Sequence, residues 1–345
     1  MSSSTINLFR TTLKSRVSPI SSFRQIQRTY LRSMATAKLN TGASIPQVGF
    51  GTWQDKDDQE TAVLEALKAG YRHIDTASIY GTEPMVGEAI KKSGIPRSEL
   101  FITTKLWNNK HAPEDVQPAL EQSLKELGLD YVDLYLMHWP SAFKSGDSTF
   151  PKDKEGKTLT SDVSYVETWK ALEKALETGK TKAIGVSNFS KAELEHILKE
   201  GSVVPAAHQL ECHPWLQQSE FTKWMGQKGI HVQQYSPFGN QNEIYESGRN
   251  MGKMMNDPVL VEIGKKHRKT GAQVALAWGI AKGHSVLPKS KTPSRIKTNL
   301  EGDFKLDSED LANIAKIDKK LRFGDPSESF GYRFYLDLDG KKAKL

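Results

Sequence analysis

The sequence predicts a (β/α)8 TIM barrel with an N-terminal β-hairpin and long active-site loops. Two observations lead to this prediction: eight short apolar or β-branched runs alternate with longer helical patterns, and several of those patterns end at a glycine. Alternating strands and helices are typical of a parallel sheet, and eight such units are the number that closes a barrel. The 345 residues are enough for one large barrel with additional segments.

The candidate strands are runs rich in β-branched and apolar residues. They are Gln47–Thr52, Arg72–Thr76, Leu100–Lys105, Tyr131–Trp139, Thr181–Ser187, Ala206–Glu211, Ile230–Ser236 and Ser285–Pro288. The helical patterns lie between them, at 59–69, 83–93, 113–128, 163–178, 190–200, 218–228 and 257–282, the last broken at Gly271. Glycine stops of this kind are expected at helix C-termini.

The competing architecture is a doubly wound dinucleotide-binding sheet. Its marker is a G-x-G-x-x-G turn after the first strand. The segment from Gly49 to Gln54 lacks the third glycine, so we favour the barrel. Ahead of it, Ala37–Leu39 and Ala43–Pro46 flank a short Asn-Thr-Gly turn and predict a hairpin.

Two long loops and the C-terminal segment interrupt the repeat. Residues 140–162 are rich in Lys, Asp, Gly and Ser, and residues 237–256 carry Pro, Gly and Asn. Loops that follow barrel strands build the active-site face, so these loops are candidates for substrate selection. The aromatic tail Ser327–Leu345 either folds over the barrel mouth or fastens a helix.

The net charge of +7 does not indicate a nucleic-acid partner. Residues 1–38 contain seven Lys or Arg and no acid, which accounts for the whole net charge. Basicity confined to one terminus is not a basic surface on the folded body. The sequence also contains no apolar run near the roughly 18 residues that a membrane span needs.

We divide the chain into an N-terminal extension, 1–37, and a barrel with its C-terminal tail, 38–345. The extension is rich in Arg and Ser and poor in acids, which is typical of a mitochondrial transit peptide. The alternatives are a disordered extension or a start at Met34. The expected location is therefore cytoplasmic or mitochondrial.

Four residues with proton-transfer chemistry stand at or just after predicted strand ends. Asp75, Lys105 and His138 end three consecutive strands, and Tyr80 follows Asp75 by five residues. Each has an ordinary structural explanation when taken singly, such as helix capping for Asp75. Together they occupy the end of the barrel where catalytic groups lie.

The four side chains make chemical sense as a set. A carbonyl that accepts a hydride becomes an alkoxide and must take up a proton. A Tyr hydroxyl can donate it, and we expect a neighbouring Lys to lower the Tyr pKa from about 10. An Asp fixes the Lys, and a His orients the substrate oxygen.

Three motifs in this order resemble the aldo-keto reductase superfamily. They are Gly70–Ala77 followed by Tyr80-Gly81, Gly128–Pro140, and Leu287–Ser290. The resemblance runs from about residue 38 to about residue 335, and the chain resembles fungal NADPH-dependent aldehyde reductases and glycerol dehydrogenases. The catalytic tetrad of the family maps onto Asp75, Tyr80, Lys105 and His138.

The resemblance also implies a site for NADPH or NADP+. Ser187, Asn188 and Gln209 match the contacts to the nicotinamide carboxamide, Tyr235 matches the aromatic residue that stacks on the ring, and Ser236 begins the loop over the pyrophosphate. The residues that match the adenosine end are Lys289, Ser290, Thr292, Arg295 and Asn299. Thr298 departs from the Glu that is common at its position, so the adenine contact there is in doubt.

The same resemblance places Trp53, Trp107 and Trp139, together with His138, around an apolar substrate pocket. No residue pattern predicts a metal site, because His208 and His213 do not have ligand spacing and Cys212 is the single cysteine. The expected partner is a small carbonyl compound, and the expected state is a monomer or weak dimer.

The function expected from these features is reversible, NADPH-dependent reduction of aldehydes, and of small hydroxy-ketones such as dihydroxyacetone, with Tyr80 as the general acid. One alternative is a pentose or uronate reductase of the same family. An alternative of another class is a coenzyme-sensing regulatory protein with weak turnover.

Overall fold

The computed structural model describes residues 34–54, 56–242 and 249–342. The extension 1–33, on which the targeting expectation rests, lies outside the described residues, as do residues 243–248 of the second long loop. From Ala35 onward the chain forms one compact unit. No helix in the described ranges is long and apolar enough to cross a bilayer.

The chain enters the barrel through the predicted hairpin. Strands β1 (Thr36–Lys38) and β2 (Ser44–Pro46) pair in antiparallel fashion. Ile45 of β2 is fully buried and belongs to an apolar cluster with residues of the barrel strands, among them Leu134 and Leu136. The hairpin therefore covers one end of the barrel with its own apolar side chain.

Eight parallel strands form the barrel, and each pairs with the next in chain order. They are β3 (Phe50–Gly51), β4 (His73–Asp75), β5 (Phe101–Leu106), β6 (Leu134–Met137), β7 (Ile184–Ser187), β8 (Ala207–Glu211), β9 (His231–Tyr235) and β10 (Ser285–Val286). Val48 pairs with Val286, and the Gly51 amide donates to the Pro288 carbonyl at 3.1 Å. These bonds join the first strand to the last, so the predicted closed barrel is confirmed.

Helices follow the strands along the chain. They are α1 (Gln59–Ala69), α2 (Glu83–Ser93), α3 (Pro113–Leu127), α4 (Tyr165–Glu177), α5 (Lys191–Glu200), α6 (Ser219–Gln227), α7 (Pro258–His267), α8 (Gly271–Ala281), α9 (Pro293–Leu300), α10 (Ser308–Ala315) and α11 (Ser327–Phe330). The predicted break at Gly271 is present. A Cβ there would lie 2.1 Å from the Met255 carbonyl oxygen, so a side chain does not fit where α8 begins.

Several predicted strands are longer than the observed ladders. The run Tyr131–Trp139 contributes only Leu134–Met137 to β6, because Val132 makes a single bridge to Thr181 and His138 lies beyond the ladder. Helix α10 was not predicted. Two further short strands, β11 (Leu321–Arg322) and β12 (Lys341–Lys342), pair with each other near the C-terminus.

Candidate active site

A buried ion pair lies at the C-terminal end of the barrel. The Lys105 ammonium of β5 is 2.6 Å from an Asp75 carboxylate oxygen at the end of β4, and it donates to the Thr76 carbonyl at 2.9 Å. Lys105 is completely buried and Asp75 is 4% exposed. Two charges taken out of water are costly unless they are paired and hydrogen-bonded, which these are.

The electrostatics keep Lys105 charged. Burial acts to lower the pKa of Lys105, but the negative charge of Asp75 and the hydroxyl of Tyr80 outweigh it, and the pKa is raised. The second Asp75 oxygen accepts a bond of 2.7 Å from the Gln209 side-chain amide. The carboxylate thus connects Lys105 to a residue of β8.

Tyr80 stands in a short 3-10 turn, Ser78–Tyr80, directly after Asp75. Its hydroxyl accepts from the Lys105 ammonium at 3.5 Å. Burial raises the pKa of Tyr80, while the charge of Lys105 opposes the rise and Asp75 adds to it. The expectation that Lys105 brings the Tyr80 pKa below its ordinary value is therefore wrong for the net pKa. Lys105 acts in the expected direction, but burial is the larger effect.

His138 completes the predicted tetrad. Its backbone amide donates to the Leu106 carbonyl of β5 at 3.1 Å, which fixes it beside Lys105. The imidazole packs edge-on against Tyr80, with ring centroids 5.8 Å apart, and against Trp107 at 5.2 Å. Burial holds the pKa of His138 well below its ordinary range, with Lys105 and His111 adding to the effect, so the ring is neutral.

The residues expected at the nicotinamide end also lie together. The Asn188 amide nitrogen donates to the Ser187 hydroxyl and to the His138 carbonyl, each at 3.0 Å. The Tyr235 hydroxyl, at the end of β9, donates to the Asn188 amide oxygen at 2.7 Å. Asn188 has φ +64°, a left-handed conformation that Asn tolerates better than most residues. Ser190 caps α5 through a capping box with Glu193.

The residues expected at the adenosine end follow β9 and β10. Ser236 has φ +47° directly after Tyr235. Lys289 and Ser290 are half-buried, Thr292 and Arg295 are exposed around the start of α9, and Asn299 is buried near its end. Thr292 holds the N-cap position of α9. Its side chain makes no capping bond, and its amide donates to the Ser290 hydroxyl.

An aromatic cluster stands beside Tyr80 and His138. Its buried members are Trp107, Phe143, Phe330, Phe334 and Tyr335, and Trp139 packs against them. Two of the three tryptophans expected around the substrate are thus together. Trp53 is not among the members of this cluster and is 37% exposed.

The aromatic members outside the tryptophans come from segments that no motif identified. Phe143 belongs to the long loop 140–162, as does Phe150, whose ring centroid lies 5.3 Å from that of Trp107. Phe330 and Phe334 belong to the C-terminal tail. Clustering of aromatic residues in the loop and the tail was the available sequence signal, but it did not reveal which rings meet.

The C-terminal tail both lies over the barrel mouth and fastens a helix, which are the two possibilities that the sequence left open. Phe334 packs on Trp139, with ring centroids 4.8 Å apart, so the tail lies over the barrel mouth. Asp337 also accepts the backbone amide of Ala192, in the first turn of α5, at 2.7 Å. An acid at a helix N-terminus satisfies backbone donors, so the tail fastens α5 as well.

One group of potential metal ligands occurs among the described residues, away from this site. His267, Asp307 and Asp310 bring ligand atoms within 4.8 Å of one another. The Lys266 ammonium binds Asp307 and Asp310 at 2.6 and 2.8 Å, and the two acids form the capping box of α10. These contacts indicate that the three residues stabilise the start of α10 rather than bind a metal ion.

Eight parallel strands with a buried ion pair and other proton-transfer side chains at their C-terminal ends have the arrangement of a barrel enzyme. The sequence pattern of the aldo/keto reductase family matches residues 47–319, and the chain belongs to that family. It is therefore an oxidoreductase, and the family resemblance inferred from the motifs is confirmed.

Known relatives cover most of the chain. An uncharacterized oxidoreductase of Schizosaccharomyces pombe is 49% identical over 288 residues, which is 83% of this chain and 89% of that protein. The human aldo-keto reductase family 1 member A1 is 41% identical over 312 residues, 88% of this chain and 93% of the relative. The structure of the aldose reductase from Schistosoma japonicum is similar with a TM-score of 0.81 and 35% identity, covering 88% of this chain and 98% of that one.

Proposed function

We propose that the protein reduces aldehydes to alcohols with NADPH and that Tyr80 supplies the proton. The observation that supports this most directly is the buried Lys105–Asp75 pair next to the Tyr80 hydroxyl and the neutral His138 ring. A charged ammonium beside a phenol in a buried site has a clear use, because it stabilises the tyrosinate that remains after proton donation.

Each member of the tetrad has a separate task in this mechanism. The Tyr80 hydroxyl donates its proton to the substrate oxygen as negative charge develops there. Lys105 stabilises the tyrosinate, and Asp75 keeps Lys105 in place and charged. The neutral imidazole of His138 donates an N–H bond to the same oxygen and orients the carbonyl.

The side chains near the tetrad fit a nicotinamide coenzyme. Ser187, Asn188 and Gln209 offer hydroxyl and amide groups that match a carboxamide, and Tyr235 offers a ring beside them. Ser236 begins the loop proposed to cover the pyrophosphate. When bound, the coenzyme supplies the hydride that reduces the carbonyl carbon.

The 2′-phosphate of NADPH is proposed to bind after β10. Lys289, Ser290 and Arg295 provide two cations and a hydroxyl around the N-terminus of α9, and Thr292 and Asn299 complete the adenosine end. No Asp or Glu, which would favour the ribose hydroxyls of NADH, occurs in 287–299. Cations and a helix N-terminus favour a doubly charged phosphate.

The proposed substrates are aldehydes with an apolar body. Trp107, Trp139 and the phenylalanines of the loop and the tail offer an apolar aromatic surface next to the Tyr80 hydroxyl, and Trp53 is proposed at its rim. Small hydroxy-ketones, pentoses and uronates are weaker candidates, because their hydroxyl or carboxylate groups would lose water against an apolar aromatic surface.

Coenzyme choice and turnover are tested together on the purified protein. We expect aldehyde-dependent NADPH oxidation, and we expect Arg295→Ala to raise the KM for NADPH by roughly 10-fold while that for NADH hardly changes, as loss of one charge-assisted bond implies. Lys297→Ala, which removes an exposed cation from the same helix, is the control. Coenzyme binding without turnover across an aldehyde panel would instead support a coenzyme-sensing role.

A further inference from the structure

The side-chain amide of Asn188 makes four hydrogen bonds. Its nitrogen donates to the Ser187 hydroxyl and the His138 carbonyl, and its oxygen accepts from the hydroxyls of Tyr235 and Tyr335. An Asn amide has two N–H donors and two acceptor positions on oxygen. Every hydrogen-bonding position of Asn188 is therefore taken by a protein group.

This saturation conflicts with the role of Asn188 in the proposed function, on which the present inference rests. A contact between Asn188 and the nicotinamide carboxamide needs a free donor or acceptor. At least one of the four protein bonds must then be exchanged for a bond to the coenzyme. The structure shows which bond is the most readily exchanged.

Three of the four partners belong to the barrel itself. Ser187 ends β7, the His138 carbonyl follows β6 and Tyr235 ends β9, so each of these partners is attached at the end of a barrel strand. Tyr335 comes from the C-terminal tail, outside the barrel strands. Its bond to Asn188, at 3.1 Å, is the longest of the four.

The environment of Tyr335 allows the bond to Asn188 to be released while the ring stays in place. The Arg322 guanidinium lies 3.8 Å from the ring centroid, and the ring is 8% exposed. Burial raises the pKa of Tyr335, with Arg322 and a hydrogen bond to Tyr235 opposing the rise, so the group is a neutral phenol. The Tyr235 hydroxyl is thus a second partner for Tyr335. Tyr335 also has φ +60°, a conformation that is strained for a Tyr.

We propose that Tyr335 is a positioning residue that sets coenzyme affinity. Its hydroxyl holds the Asn188 amide oxygen in the coenzyme-free protein and gives up that acceptor when the nicotinamide carboxamide binds. The tail thereby keeps the Asn188 amide oriented and satisfied between catalytic cycles, and it competes with the coenzyme for one hydrogen bond. Phe334, the neighbour of Tyr335, packs on Trp139, so the same segment touches the proposed substrate surface.

The test uses the full chain carrying Tyr335→Phe, which removes the hydroxyl and keeps the ring over Arg322. The Kd for NADPH is measured by quenching of the tryptophan fluorescence, without substrate. We expect the variant to bind NADPH roughly 2- to 10-fold more tightly than the wild type, the effect of freeing one net hydrogen bond. Tyr332→Phe is the matched control, because the Tyr332 hydroxyl donates to Glu193 rather than to Asn188, and its Kd should equal that of the wild type.

A second ligand separates the proposed contact from a general effect on the fold. The adenosine bisphosphate fragment of NADPH keeps the 2′-phosphate but lacks the nicotinamide, so its Kd should be unchanged in Tyr335→Phe. Equal or weaker NADPH binding by the variant, or an equal shift for both ligands, overturns the role assigned to Tyr335. A wild-type protein that binds neither ligand refutes the proposed NADPH dependence itself, which is a different result.

Discussion

The two ends of the barrel both bury histidines, with different neighbours. At the N-terminal end, His73, His231 and His284 contact the Pro46 carbonyl, the Ser285 hydroxyl and the Gln234 amide at 3.1, 2.8 and 2.7 Å. Burial lowers the pKa of His73 and His231 to about 4 and that of His284 to about 3. These rings are neutral and hydrogen-bonded to neutral groups.

At the C-terminal end, the neutral ring of His138 stands beside a full ion pair and the half-buried phenol of Tyr80. The buried contact between Lys105 and Asp75 carries a desolvation cost that an apolar pair of the same size would avoid. Burial and a shifted pKa therefore do not by themselves distinguish a site from a structural network. The C-terminal end differs in placing a buried ammonium next to a phenol that can donate a proton.

Asp75→Asn, compared with a substitution at the N-terminal end, gives the largest expected difference in stability between the two ends of the barrel. It leaves the Lys105 ammonium buried without its carboxylate, so we expect the free energy of unfolding to fall by about 3–5 kcal/mol, as when a buried ion pair loses one partner. His231→Gln at the other end removes a neutral hydrogen bond and should cost about 1–2 kcal/mol. Chemical denaturation near neutral pH measures both. Equal losses would mean that the ion pair is no more than another satisfied polar contact.

Tyr80→Phe tests whether the proposed proton donation takes place at the C-terminal end of the barrel only. The change removes the proposed proton donor and keeps the ring, so we expect kcat to fall roughly 100-fold or more, as is typical for loss of a general acid. The matched control is Tyr71→Phe, because Tyr71 is buried near the N-terminal end of β4 and donates to the Ile296 carbonyl at 3.0 Å. Its kcat should stay near that of the wild type. Turnover of Tyr80→Phe at the control level would refute the mechanism.

The tetrad was predictable because it depends on local order along the chain. Asp75 ends β4, Lys105 is the penultimate residue of β5 and His138 directly follows β6, and parallel strands bring their C-terminal ends to one edge. The net pKa of Tyr80 was not predictable, because it depends on how deeply the fold buries the ring. Helix α10 was missed although Asp307 and Asp310 have the spacing of a capping box and Leu311 and Ile314 have helical spacing.

The tail shows what sequence patterns do not contain. Tyr335 and Asn188 are 147 residues apart, and no local rule connects them. The clustering of aromatic residues in the tail indicated a packing role, but Phe334 reaches Trp139 while Tyr332 reaches Glu193, and only the fold decides between them. Contacts that one chain segment makes across the barrel mouth can be identified only from the three-dimensional structure.

The smallest expected effect is on the loss of stability at acid pH, and it tests the histidines of the N-terminal end. His231 has a folded-state pKa of about 4, below the ordinary 6.5 of the unfolded chain, so the unfolded state binds more protons between these values. The stability that its neutral ring contributes is present above pH 6.5 and is lost as the pH falls towards 4. One pKa unit corresponds to about 1.4 kcal/mol. As the pH falls over that range, the free energy of unfolding of the wild type should therefore decrease by at least about 1 kcal/mol more than that of His231→Gln. If the free energy of unfolding of His231→Gln depends on pH as that of the wild type does, this buried histidine does not control acid stability. The two ends of the barrel would then differ less than their contacts indicate.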